Sequence, residues 1–120
     1  MFSRCFPSIR RWLAILAVLA SGAAQAHAIL LESRPSAGST LAPGAGAVAL
    51  RFNCRVDPLR SRLVLEAGHD QTKVAIDPAS AEDTLAAKVQ LAPGDYRLHW
   101  QVLAVDGHIT RGDIRFTVAR

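Results

Sequence analysis

The sequence predicts an all-β protein, a small antiparallel β-sandwich of about seven short strands. Two observations lead to this prediction. Apolar and polar residues alternate in several short stretches, and clusters of Pro, Gly, Asn or Asp separate these stretches. Beyond residue 26, no stretch has the 3.6-residue apolar period that an amphipathic helix requires.

The predicted strands share alternation, or an apolar composition between turn signals. They are residues 29–33, 48–56, 62–67, 73–76, 85–91, 96–102 and 113–119. The clearest is 48–56, where every second residue is apolar, which indicates one buried face. Segments 35–39 and 43–46 are predicted loops, and 68–71 is the predicted turn of a hairpin.

The first 26 residues have the order of a secretory signal peptide. Met1–Arg11 is basic, Trp12–Ala20 is a compact apolar run, and small residues follow, with Ala24 and Ala26 at the A-x-A positions. The apolar run is too short to span a bilayer as a permanent helix. We therefore expect a signal peptide over 1–26 and one exported domain over 27–120, with no membrane span in the mature chain.

Removal of 26 of the 120 residues changes the charge balance. The whole chain carries 14 Lys and Arg against 10 Asp and Glu, and the removed segment holds three of the arginines. A mature net charge of +1 gives no support to nucleic-acid binding. Cys5 is lost as well, so Cys54 has no partner for an internal disulfide.

Cleavage after Ala26 would create an N-terminal histidine, His27. Its free amine and imidazole could chelate one metal ion. Asp106 and His108, spaced i and i+2 around Gly107, can point to the same side and add a carboxylate and an imidazole. Together these residues supply four nitrogen and oxygen donors, a set that favours Cu(II). Each feature also has an ordinary explanation when taken alone. His27 could become N-terminal by chance, and Asp106-Gly107-His108 could be a turn with a solvated histidine.

At this point the chain resembles the CopC copper-binding family of the bacterial periplasm. The similar segments are His27-Ala28, Ser33–Thr40, Val48–Phe52, Tyr96–His108 and Gly112–Val118. The most specific part is W-x-V-x-x-x-D-G-H followed by G-x-x-x-F-x-V. Together the segments span nearly the whole mature chain. The resemblance implies a barrel-like, immunoglobulin-like Greek-key sandwich in the periplasm.

The resemblance also implies a function. One Cu(II) per chain would be held by His27 through its amine and imidazole, and by Asp106 and His108. The protein would bind and deliver copper in homeostasis or resistance, and would catalyse nothing. A CopD-like inner-membrane copper transporter is the implied partner, and we expect a monomer.

Two departures from the family pattern affect this expectation. Some members carry a methionine-rich Cu(I) site, but here Met1 is the only methionine, so we expect no Met-based Cu(I) site. Many members have Phe-Ser-Glu where this chain has Phe52-Asn53-Cys54, so a glutamate thought to support a copper-ligating imidazole is absent. Cys54 is interpreted as a small core residue, or alternatively as a soft copper ligand or reductant.

Four further residues have ordinary interpretations. We expect His69 to be solvated in a turn and His99 to be exposed or hydrogen-bonded, although either could bind copper adventitiously. Trp100 and Phe116 alternate with other apolar residues, so core packing is favoured over a ligand-stacking role.

Two other functions remain open from the sequence. A histidine-brace copper oxidase or monooxygenase would use the amine and both imidazoles, although an Asp106 ligand would fill a position that oxygen needs. A metal-free immunoglobulin-like scaffold would use none of them. Ala26-His27-Ala28 is also an A-x-A match, and cleavage there would leave Ile29 first and discard the site.

Overall fold

The computed structural model describes residues 27–120 as eight β-strands in two sheets. The signal peptide predicted over 1–26 lies outside the described residues. The strands are β1 Leu30–Arg34, β2 Thr40–Leu41, β3 Gly44–Phe52, β4 Arg62–Ala67, β5 Asp70–Val74, β6 Thr84–Leu91, β7 Gly94–Leu103 and β8 Ile109–Val118. Within the described part of the chain, no helix could cross a membrane.

The strands form a three-stranded sheet, β1-β3-β6, and a five-stranded sheet, β2-β8-β7-β4-β5. All pairs are antiparallel except β2 with β8. Several neighbours, such as β3 and β6 or β4 and β7, are distant in sequence, which is typical of Greek-key connections. The predicted all-β sandwich is therefore confirmed.

Several strand boundaries differ from the prediction, and β5, β7 and β8 each begin earlier than predicted, at Asp70, Gly94 and Ile109. β3 begins at Gly44, inside a predicted loop, and ends at Phe52, although alternation continues to Val56. Val56 is still buried and forms an isolated bridge to Ala104. The hairpin turn is only two residues long, because Gly68 adopts a φ of 60° that suits a tight turn. β2 was not predicted, since two residues carry no period.

Alternate residues of both sheets face inward and form one hydrophobic core. The Trp100 ring is 8% exposed and meets Phe52 edge to face, with ring centroids 5.4 Å apart. Phe116 is buried and stacks on Tyr96 at 5.3 Å. The predicted core role of Trp100 and Phe116 is confirmed. Burial of each such ring contributes roughly 1.5–3 kcal/mol.

Three segments meet at one end of the sandwich. The start of β1 pairs with the end of β3 through Leu30 and Phe52. The end of β7 pairs with the start of β8 through Leu103 and Ile109, and the β7–β8 turn follows there. His27, which precedes β1, therefore lies at the same end of the sandwich as the Asp106-Gly107-His108 turn.

Candidate metal centre

The segment after His27 is held firmly against the end of β3. Ala28 is only 2% exposed and belongs to the hydrophobic core. The N–H of Ile29 donates to Oδ1 of Asn53 at 2.7 Å, and the N–H of Asn53 donates to the carbonyl of Ile29 at 3.0 Å. The two residues after His27 are thus anchored, while His27 itself is exposed to solvent.

Asp106, Gly107 and His108 form a tight turn between β7 and β8. The N–H of Gly107 donates to the carbonyl of Ala104 at 2.9 Å, and the N–H of Ala104 donates to the carbonyl of His108 at 2.9 Å. Gly107 has a φ of 95°, a region that disfavours residues with a Cβ. The turn that sets the spacing of Asp106 and His108 therefore depends on a glycine at position 107.

The Asp106 carboxylate contacts His108 twice. Its Oδ1 accepts the backbone N–H of His108 at 3.1 Å, and its Oδ2 lies 3.2 Å from Nδ1 of the ring. The backbone N–H is the main reason, with the ring contact adding to it, that the pKa of Asp106 lies below its usual value. Asp106 is therefore an anion in direct contact with the His108 ring.

The two predicted histidine ligands lie side by side. The rings of His27 and His108 have centroids 5.2 Å apart with an interplanar angle of 77°. The His108 side chain is half exposed, so an ion could reach this pair from solvent. The structure thus brings together His27 with His108, and His108 with Asp106.

The three side chains do not converge as a finished ligand shell. Among residues 27–120, no group of three or more His, Cys, Asp or Glu side chains is arranged to hold a metal ion. The reason is visible in the contacts, since Asp106 is turned onto His108 and the two rings meet edge to face. The imidazoles and the carboxylate would have to reorient to point at one ion.

Cys54 lies near this end but packs against the core. It is partly buried. Burial, and secondarily the negative charge of Asp106, raise the pKa of its thiol. These properties are those of a small, protonated core residue, the first of the two interpretations of Cys54.

The other two histidines lie away from the site. His69 is exposed in the β4–β5 turn. His99 lies on the outer face of the five-stranded sheet, with Nε2 3.2 Å from Oε2 of Glu66 and Nδ1 3.7 Å from Oδ1 of Asp113. The expectation that His99 is hydrogen-bonded is confirmed.

Asn53 is the contributor that sequence reasoning missed. In the sequence it stands out only as part of a departure from a family pattern, yet its side chain accepts a hydrogen bond from the segment that follows His27. The only signal in the sequence is the residue type, because Asn side chains often bond nearby backbone groups.

Large apolar side chains are exposed around the site. Ile29, Val105 and Ile109 each lie within two residues of a predicted ligand, and Val105 is 67% exposed. Exposed apolar groups gathered in one region are typical of a contact surface.

The fold and the paired histidines define a small β-sandwich with a solvent-accessible candidate metal centre. A family model, described as the CopC domain, matches residues 30–119. The chain therefore belongs to the CopC domain family, and the resemblance seen in the sequence is confirmed.

Individual relatives agree with this assignment. The chain is 30% identical to Protein YobA of Escherichia coli strain K12 over 117 residues, which cover 92% of this chain and 94% of YobA. CopC from Methylosinus trichosporium OB3b is 31% identical with a TM-score of 0.68, over 78% of this chain and 94% of that structure. PcoC of Escherichia coli, described as a methionine-rich copper resistance protein, is 26% identical with a TM-score of 0.59, over 78% and 99%.

Proposed function

We propose that this protein is a periplasmic copper-binding protein of copper homeostasis or resistance. One Cu(II) ion binds at the mature N-terminus through the amine and imidazole of His27, with His108 and Asp106 as the other ligands. The observation that carries the proposal is the 5.2 Å approach of the His27 ring, which precedes β1, to the His108 ring in the β7–β8 turn. Membership of the CopC domain family and likeness to PcoC support copper as the ion.

The donor set explains the choice of oxidation state. Nitrogen and carboxylate oxygen donors suit Cu(II), which also has the highest affinity among the first-row divalent ions. No methionine lies in residues 27–120, so the thioethers that favour Cu(I) are absent. Copper is cargo here, and the protein performs no reaction on it.

Anchoring of the backbone next to His27 favours binding of an ion there. Because Ala28 is buried and Ile29 is fixed to Asn53, little backbone entropy is lost when His27 takes up an ion. The side chains of His27, Asp106 and His108 then reorient toward the ion. The position of copper at an exposed end also leaves it open to transfer.

The same exposure supports delivery to a membrane partner of the CopD type. Ile29, Val105 and Ile109 surround the proposed site with apolar surface. Such a rim can exclude water while an acceptor takes the ion from His27 and His108. Binding at the amine also restricts loading to the exported protein, since a peptide bond before His27 removes that donor.

Native intact mass spectrometry of the exported protein, titrated with Cu(II), tests the proposal directly. We expect a mass that begins at His27 and one copper retained per chain. His108→Ala and Asp106→Ala should weaken binding by at least about tenfold each, as measured by competition with a Cu(II) chelator.

His69→Ala is the matched control, because it removes an exposed histidine from a turn outside the site. It should leave the copper count and affinity unchanged. A protein that begins at Ile29, or one whose copper is lost equally in His69→Ala and His108→Ala, would overturn the proposed site.

A further inference from the structure

Both lysines of the chain line one groove between two sheet edges. Lys73 lies in β5 and Lys88 in β6, and the sequence contains no other lysine. β5 is an edge of the five-stranded sheet, β6 is an edge of the three-stranded sheet, and the two strands are not paired. The groove between them has a volume of about 470 Å³. It is separate from the proposed copper site.

The main chain of β6 directs unpaired groups toward this groove. In an antiparallel ladder, alternate residues point both N–H and C=O to the same side. Ala86 points away from β3, because its carbonyl accepts the N–H of Asp77 at 2.8 Å and its N–H donates to Oγ of Ser80 at 3.0 Å. The register with β3 is regular, so Lys88 and Gln90 point the same way. On that side neither has a backbone partner within residues 27–120.

Within residues 27–120, the free edge of β5 also presents unpaired backbone groups. A two-residue turn, Gly68-His69, joins β4 to β5, and such a turn is closed by a hydrogen-bonded pair, here Ala67 and Asp70. The backbone groups of Asp70, Thr72 and Val74 therefore face β4. Lys73 lies between them in the alternation, so its backbone groups point away from β4. Its backbone N–H and C=O therefore also face the free edge.

The side chains around the groove combine an apolar wall with excess positive charge. Leu65, Val74 and Val89 supply apolar surface. Neither lysine forms an ion pair with any residue in 27–120. Asp70 is the one carboxylate that lines the groove, so the two ammonium groups outnumber it.

These features select one class of ligand. Lysines on an edge strand discourage pairing with neutral or basic strands. A strand that brings carboxylates neutralises the lysines and also satisfies the free backbone groups. We propose that the groove binds an extended acidic segment of a partner protein. The segment adds to the edge of β6 at Lys88 and Gln90 and places carboxylates near Lys73 and Lys88.

The test uses the exported protein and a synthetic probe, acetyl-Glu-Val-Glu-Val-Glu-amide, in an amide-resolved NMR titration at low ionic strength. The amides of Lys88 and Gln90 should shift in a saturable manner. The combined Lys73→Glu and Lys88→Glu variant should weaken binding by about tenfold or more. Two Arg→Glu changes at Arg55 and Arg60, which reverse the same number of charges on other exposed side chains, should leave binding unchanged.

Two further probes separate strand addition from simple charge attraction. The same peptide with its backbone nitrogens methylated cannot donate hydrogen bonds and should bind at least about tenfold more weakly. A Lys-Val-Lys-Val-Lys peptide should not bind. The proposal is overturned by an absence of saturable shifts at millimolar acidic peptide, by equal binding of the methylated peptide, or by equal effects of the lysine and arginine variants. In those cases the lysines serve only to protect the edges from aggregation.

Discussion

Asn53 and Ile29 are joined by two hydrogen bonds, one through the Asn53 side chain and one through its backbone. The N–H of Ile29 donates to Oδ1 at 2.7 Å, and the carbonyl of Ile29 accepts the N–H of Asn53 at 3.0 Å. The pair extends the contact between β1 and β3 beyond Phe52. It fixes the chain two residues from His27, the N-terminal residue of the proposed copper site.

Asn53→Ala should therefore weaken Cu(II) binding while the fold is retained. Loss of one hydrogen bond costs about 1 kcal/mol, which corresponds to roughly a fivefold weaker affinity if the bond orders His27. Competition with a Cu(II) chelator measures the change. Asn53→Asp keeps the acceptor oxygen and should retain more of the affinity. Equal affinities for wild type and Asn53→Ala would show that the anchor has no part in copper binding.

Copper bound to this protein should be released on reduction. The proposed ligands are nitrogen and oxygen donors, and residues 27–120 contain no methionine to retain Cu(I). After ascorbate is added anaerobically, a Cu(I)-specific chromophoric chelator should take up the whole copper load. Cys54→Ser should release copper identically, since Cys54 is interpreted as a core residue. Retained Cu(I) in wild type that is lost in Cys54→Ser would instead identify the thiol as a ligand.

Ser61→Ala should destabilise the protein. The buried Oγ of Ser61 donates to the carbonyl of Asp57 at 2.6 Å and accepts the N–H of Leu103 at 3.0 Å. Its removal leaves both backbone groups unsatisfied, at a cost of about 1–3 kcal/mol. Urea denaturation measures this loss in the free energy of unfolding.

Ser80 provides a matched control for that variant. Its Oγ makes the same two kinds of hydrogen bond, to the carbonyl of Asp77 at 2.6 Å and from the N–H of Ala86 at 3.0 Å, but in a more exposed loop. Ser80→Ala should cost less, because water can replace the hydroxyl. The burial argument fails if both variants lose the same free energy of unfolding.

Gly112→Ala should be more destabilising than an ordinary Gly→Ala change in a strand. A Cβ at Gly112 would lie 2.5 Å from Cζ2 of Trp100, whose ring is packed in the core. Overpacking of this kind costs about 1–3 kcal/mol. In the control, Gly46→Ala, the nearest atom to the new Cβ would be Cδ1 of Leu91 at 3.2 Å, the end of a flexible side chain. Thermal unfolding should show a clearly lower Tm for Gly112→Ala alone.

Glu66 should make stability depend on acid pH. Its hydrogen bond with His99, and next its bond with Gln71, lower the pKa of its carboxyl below the usual value. A pKa lowered by folding adds stability at pH values above the unfolded pKa, and this stability is lost as the pH falls through the folded pKa. Glu66→Gln should therefore flatten the pH dependence of the free energy of unfolding on the acid side of about pH 5.

Urea titrations at several pH values between about 3 and 7 measure the free energy of unfolding of the wild type and of Glu66→Gln. Glu82→Gln is the control, since it removes one carboxylate from a well-exposed ion pair with Arg55. If Glu66→Gln and Glu82→Gln give the same pH profile, the contact with His99 contributes no pH-dependent stability.

Much of the fold follows from local patterns. Strand β4 was predicted with its observed bounds, and the alternation in β6 and β7 located both strands, because alternation records which side of a half-buried strand meets the core. The same patterns misplaced the ends of β3. Val56 is as apolar as Val48, but the regular strand pairing of β3 ends at Phe52, and the Asn53 side chain bonds to Ile29 instead. A one-dimensional period cannot register such a departure.

The sequence by itself determined the all-β class, the core roles of Trp100 and Phe116, and the residue types available as metal ligands. Those features depend on local alternation and on the chemistry of single side chains. Only the tertiary structure decided that His27 lies beside His108, that Asn53 anchors the first strand, and that Lys73 and Lys88 line one groove. Each of these relationships joins residues at least 15 positions apart in the chain, so it depends on sheet order and register, which the whole core selects.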